Sequence, residues 1–157
     1  PLCNPAGVSA QLLGVYAPSL AEPMTRVLAE LGSRRVWTVH GSDGLDEITT
    51  TGPTAVVALE DGAIRRFTID PRELGLRLAQ PEELRGGDPA HNASALREVL
   101  GGAHTPYRDI GVLNAAAALM VAGRVVSLQD GVTRAAQAID TGAARAVLER
   151  LAVVSNA

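Results

Sequence analysis

Lysine is absent from this 157-residue sequence, in which all 14 basic residues are arginine. Chemistry that needs a lysine of this chain, for a Schiff base or a phosphate contact, is therefore excluded. Aromatic residues make up only 3%, so the core has to be built from Ala, Leu, Val and Ile. The single cysteine, Cys3, excludes an internal disulfide and fits a reducing compartment. No apolar run approaches the roughly 20 residues of a membrane span, and no signal-peptide pattern opens the chain. The expectation is a cytoplasmic protein with no membrane partner. A formal net charge of -3 lacks the basic excess of a nucleic-acid binder. The chain starts at Pro1, not at a methionine.

What is present suffices for a folded core, since 46% of the residues are hydrophobic. Residues 1–157 read as a single α/β domain, with strands in the first half and helices in the second. Pro1 to Pro18 reads as an irregular start. Ser19 to Leu31 has helical spacing, with Leu20, Val27, Leu28 and Leu31 on one face, a capping box from Ser19 and Glu22, and a stop at Gly32. Arg35 to His40 reads as a buried strand. Two further strands, Thr54 to Leu59 and Ala63 to Ile69, meet at Glu60-Asp61-Gly62, a strong hairpin signal. Helices are expected near Asn92 to Leu100, from Tyr107 to the alanine-rich stretch ending at Ala122, after Ser127, and after Thr141. The last of these carries Ala144, Val147, Leu148 and Leu151 on one stripe.

The segment with the most chemistry is His40-Gly41-Ser42-Asp43-Gly44-Leu45-Asp46-Glu47. It follows a strand, where ligands gather in open α/β sheets. Its glycines permit a tight turn, and three carboxylates fall within five positions. Magnesium favours hard carboxylate oxygens and usually takes only one or two from the protein, beside phosphate and water. On the residues alone, two readings stay open: an acidic surface turn, and a site at which Asp46 and Glu47 serve one ion. His40 reads as a hydrogen-bonded histidine at a strand end. Gly86-Gly87-Asp88 reads either as an anion-binding turn or as a linker with Asp88 capping the next helix. Asn114, inside the alanine-rich helix, reads as a satisfied buried amide.

Taken in order, several segments resemble anthranilate phosphoribosyltransferases. They are Pro1-Leu2-Cys3-Asn4-Pro5-Ala6, Gln11 with Gly14-Val15, the His40 to Glu47 segment, Gly86-Gly87-Asp88 with Asn92-Ala93, Leu113 to Ala117, and Ala138 to Gly142. The His40 to Glu47 segment is the most specific of them. The resemblance implies the large mixed-sheet α/β domain of the nucleoside phosphorylase/phosphoribosyltransferase fold. It also implies transfer of a phosphoribosyl group from phosphoribosyl pyrophosphate to anthranilate in tryptophan biosynthesis. Asp46 and Glu47 then match the family's acidic pair, which holds Mg2+ near the pyrophosphate. Asn4, Pro5 and Ala6 match the loop beside the acceptor channel.

The same resemblance implies that only the carboxyl-terminal half is represented. The family's glycine-rich diphosphate loop, Asn-Ser-Thr segment, lysine-bearing loop and anthranilate-contacting arginine precede the region matched by Pro1. So does the helical domain through which the family forms homodimers. The expected partner is therefore the missing amino-terminal half, and the chain alone is expected to be inactive. Two alternatives remain at this point: a relative of pyrimidine-type nucleoside phosphorylases, and a non-catalytic α/β half-domain that packs on a partner chain.

Overall fold

Asp61 and Gly62 both take positive φ, 50° and 78°, as a two-residue turn between twisted antiparallel strands requires. They join β3 (Thr54–Glu60) to β4 (Ala63–Ile69), paired from Thr54 with Ile69 to Glu60 with Ala63. The computed structural model describes Leu2 and residues 6–156, so Asn4 and Pro5 of the expected acceptor loop lie outside the described residues. β2 (Arg35–Gly41) runs antiparallel to β3, with Trp37 opposite Ala58. The irregular start expected before Pro18 contains a strand instead. This is β1 (Ala10–Gly14), parallel to β2 with Leu12 opposite Trp37. It is short and carries Gln11 and Gly14, so its sequence gives little strand signal, and its pairing partner lies beyond a helix. The sheet order is β1-β2-β3-β4, a mixed sheet.

That connecting helix, α1 (Ala21–Glu30), differs from expectation at its start. Pro18–Leu20 forms a separate tight turn, and no side chain caps α1, so the Ser19 capping box is not formed. Glu22 bonds Arg26 and Arg66 instead. The buried face is Ala21, Thr25 and Leu28, whereas Val27 and Leu31 are exposed. Thr25 replaces an apolar residue there because its hydroxyl meets Ala21 O at 2.8 Å and Thr38 Oγ1 at 2.7 Å. A buried polar group that is paired in this way costs little.

α1 covers one face of the sheet through two small clusters, one with Val15 and Val57, the other with Val36 and Leu59. The opposite face, carrying Trp37, Val39, Val56 and Ala58, is covered by α3 (Pro106–Val121) and α4 (Leu128–Asp140). α3 and α4 pack closely at Gly131, where a β-carbon would sit 2.9 Å from Ala116 Cα. The alanine-rich run is thus a helix-packing face. Three helix starts have a local side-chain cause. Asp88 accepts from His91 N–H ahead of α2 (Pro89–Leu100), Thr105 from Arg108 N–H ahead of α3, and Ser127 from Asp130 N–H ahead of α4. Proline at the first position of α2 and α3 gives up no hydrogen bond.

α5 (Ala143–Ser155) has no fully buried residue. Its expected stripe is covered only in part: Ala144 and Leu148 are half-buried, whereas Val147 is 68% and Leu151 61% exposed. No helix among the described residues is long and apolar enough to cross a membrane.

Candidate functional site

β2 delivers the chain to Gly41, and residues 42–53 turn it back into β3. Backbone bonds close the turn: Gly41 N–H donates to Leu45 O at 2.8 Å, Gly44 N–H to Gly41 O at 3.0 Å, and Ser42 N–H to Pro53 O at 3.0 Å. Gly44 has φ of 93°, a conformation that favours glycine.

The three carboxylates of this turn have different work. Asp43 is the internal post. Its Oδ2 accepts from Thr49 Oγ1 and Thr51 Oγ1, both at 2.6 Å, and its Oδ1 from Leu45 N–H at 3.1 Å. Partial burial pushes its pKa upward, but the hydrogen bonds from Thr49, Thr51 and Leu45 outweigh it and hold the carboxyl below its ordinary value. By contrast, the exposed carboxylates of Asp46 and Glu47 make no hydrogen bond or ion pair among the described residues.

Two more residues fix where that pair sits. Gly14, the last residue of β1, lies directly against the Asp46 carbonyl: a β-carbon on Gly14 would fall 1.5 Å from Asp46 O. On the other side, Asn114 of α3 accepts from Ile48 N–H at 3.0 Å and donates to Ile48 O at 2.8 Å. Asn114 is thus the satisfied amide expected, and its partner is the residue after Glu47. Ile48, Thr49 and Thr50 are fully buried. Thr50 Oγ1 is, among the described residues, a buried side-chain oxygen with no hydrogen-bond partner.

Other expectations resolve plainly. His40 Nδ1 lies 2.8 Å from Val15 O, the hydrogen-bonded histidine at a strand end. The Gly86-Gly87-Asp88 turn is a capped linker: Asp88 caps α2, while Asn92 accepts from Gly87 N–H at 2.8 Å and donates to Gly87 O at 3.0 Å. Ala6 is exposed. The roles of Gly14, Asp43 and the Thr49–Thr51 hydroxyls were not legible beforehand. One signal existed, since an isolated glycine in a strand marks a close backbone approach.

Among the described residues no group of three or more His, Cys, Asp or Glu is placed to hold a metal. Asp46 and Glu47 offer two hard, unpartnered carboxylates. Such a donor set suits a magnesium ion that draws its remaining ligands from phosphate oxygens and water.

The family model described as "Glycosyl transferase family, a/b domain" matches residues 1–145. The chain belongs to this family. Within the glycosyl transferase family it is 81% identical over 157 residues to the anthranilate phosphoribosyltransferase of Methylobacterium nodulans, covering 100% of this chain and 47% of the relative. The chain thus spans about half the length of the curated relatives it matches. The crystal structure of anthranilate phosphoribosyltransferase from Thermus thermophilus superposes with a TM-score of 0.88 at 37% identity, over 98% of this chain and 45% of that one. The Saccharomyces cerevisiae enzyme, solved in complex with PRPP and Mg, superposes with a TM-score of 0.80 at 28% identity, over 88% of this chain and 40% of that one. The mixed sheet with helices on both faces is therefore the α/β architecture of this glycosyl transferase family.

Proposed function

We propose that residues 1–157 form the carboxyl-terminal half of the catalytic domain of a cytoplasmic anthranilate phosphoribosyltransferase. The whole enzyme transfers the 5-phosphoribosyl group from phosphoribosyl pyrophosphate to anthranilate, giving N-(5-phosphoribosyl)anthranilate and pyrophosphate. The observation that carries this is the 81% identity with the Methylobacterium nodulans enzyme along the entire chain. The exposed, unpartnered Asp46 and Glu47 at the carboxyl end of β2 support it.

In this function Asp46 and Glu47 hold Mg2+. The bound ion would neutralise charge that gathers on the leaving pyrophosphate as the bond to ribose C1 breaks. This chain's own task is placement. The Asp43 carboxylate, bonded to Thr49, Thr51 and Leu45, keeps the turn in one shape. No residue of the chain serves as a covalent nucleophile, because anthranilate's amine attacks C1 directly. The partner half supplies the remaining contacts to both substrates.

The test is to join this chain to the part of the Methylobacterium nodulans relative that it does not span, and to follow anthranilate consumption with phosphoribosyl pyrophosphate. The joined enzyme is expected to turn over with magnesium, and the isolated chain to be inactive. Positioning two substrates contributes on the order of 7–11 kcal/mol, and half a site cannot provide it. A joined enzyme that ignores anthranilate but cleaves a pyrimidine nucleoside with phosphate would overturn the proposal.

A further inference from the structure

Asp46 and Glu47 have no side-chain partner among the described residues, so the main chain alone sets their aim. That main chain is tied down on three sides. Asp43 bonds the turn before the pair, Gly14 lies against the Asp46 carbonyl, and Asn114 holds the residue after it. The Asn114 tie spans 66 positions of sequence and uses both polar groups of Ile48, as a neighbouring strand would. The remaining Nδ2 proton goes to Ile110 O at 3.0 Å, one turn back on α3. The amide therefore has one workable orientation. A flip would set Nδ2 against an N–H donor and Oδ1 against two carbonyls. α3 is itself immobilised by Leu113, Ala116 and Ala117 in the core.

We propose that Asn114 is a positioning residue for the metal and diphosphate site. By clamping Ile48 it fixes the backbone that carries Asp46 and Glu47, and it couples their aim to α3. This rests on the assignment of that pair to magnesium. A residue with a merely structural role would change stability when replaced. A positioning residue changes the affinity for the ion.

The experiment uses the enzyme joined as above. In Asn114→Ala the magnesium concentration at half-maximal rate is expected to rise on the order of 10-fold, the scale typical of groups that orient metal ligands. The rate at saturating magnesium should return close to wild type. Mn2+ binding, followed by electron paramagnetic resonance with phosphoribosyl pyrophosphate but no anthranilate, should weaken by the same factor. Asn114→Asp, isosteric but with an acceptor facing the Ile48 and Ile110 carbonyls, should behave like Asn114→Ala. Leu28→Ala, on the buried face of α1, should lower stability and leave magnesium dependence unchanged. Wild-type magnesium dependence and Mn2+ binding in Asn114→Ala would overturn the positioning role. The double change Asp46→Asn with Glu47→Gln separates the two ideas. If it shifts magnesium dependence and Asn114→Ala does not, the positioning role falls and the metal assignment stands. If neither shifts, both fall. Should Asn114→Ala not fold, amide exchange in the unaltered enzyme decides. Ile48 N–H must exchange far more slowly than the Asp46 and Glu47 N–H groups, and equal rates would overturn the clamp.

Discussion

The carbonyl oxygen of Asp46 lies 1.5 Å from the point where a β-carbon on Gly14 would sit, and the carbonyl carbon 2.5 Å. Both neighbours in this contact are backbone, so a side chain at position 14 cannot be accommodated by a rotamer change. Gly14 itself is not among the positive-φ glycines, which makes the requirement one of space and not of conformation.

Gly14→Ala is therefore expected to push the acidic segment away from the end of β1. Overpacking of this kind costs about 1–3 kcal/mol, which urea unfolding will register. Magnesium-dependent turnover of the joined enzyme should fall with it. Gly44→Ala provides the contrast. Gly44 has φ of 93° and nothing within 4 Å of its added β-carbon, so only backbone strain results. Equal magnesium dependence in the wild type and Gly14→Ala would show that the Gly14 contact does not set the position of the pair.

Asp43 makes a prediction about acid. Its carboxyl titrates below the ordinary 3.8, because the hydrogen bonds from Thr49, Thr51 and Leu45 outweigh the upward push of partial burial. A depressed carboxylate pKa contributes stability that is fully present above the unfolded value and disappears as pH falls through the folded value. Asp43→Asn should thus be less stable than the wild type near neutral pH, by about 1 kcal/mol once solvent screening is allowed for. The gap should close below the ordinary value of 3.8. Urea midpoints of both proteins, measured from neutral pH down through that range, check it. A gap that is constant with pH would mean that the charge of Asp43 does not contribute.

What the sequence made legible follows the range of the interactions. The β3–β4 hairpin was readable because Asp61 and Gly62 sit between two β-branched runs, and the turn chemistry is local. The caps at Asp88 and Ser127 were readable for the same reason. β1 was not, because five residues including Gln11 and Gly14 carry no alternation, and its parallel partner lies across α1. At the site, Asp46 and Glu47 stood out through their resemblance to the family's acidic pair. The frame around them did not. Asn114 meets Ile48 across 66 positions, and Gly14 meets Asp46 only once the sheet has formed. A polar residue in an alanine-rich helix announced that it had a partner, but not which one.

The isolated chain should self-associate. The outer edge of β1 has no strand partner among the described residues. An open edge of that kind recruits other chains. α5 adds exposed Val147, Leu151, Val153 and Val154. Sedimentation of the isolated chain is expected to show concentration-dependent association and binding of an apolar dye, both reduced in the joined enzyme. A well-behaved monomer at high concentration with no dye binding would count against it.

The sharpest prediction concerns Asp46 and Glu47. Changing them to Asn and Gln keeps size and hydrogen-bonding capacity and removes two negative charges. As metal ligands they are directly required, and even groups one step removed from a metal change affinity or activity by about 10–100-fold. Magnesium-dependent activity of the joined enzyme should fall by at least that much. Folding should change little, because both carboxylates are exposed and neither has an ion-pair partner among the described residues to lose. An acidic surface turn without a metal would give the reverse, with activity unchanged and at most a small shift in stability. A magnesium titration of the rate distinguishes the two, and a wild-type response in the double variant would remove the metal assignment and the role of Asn114 with it.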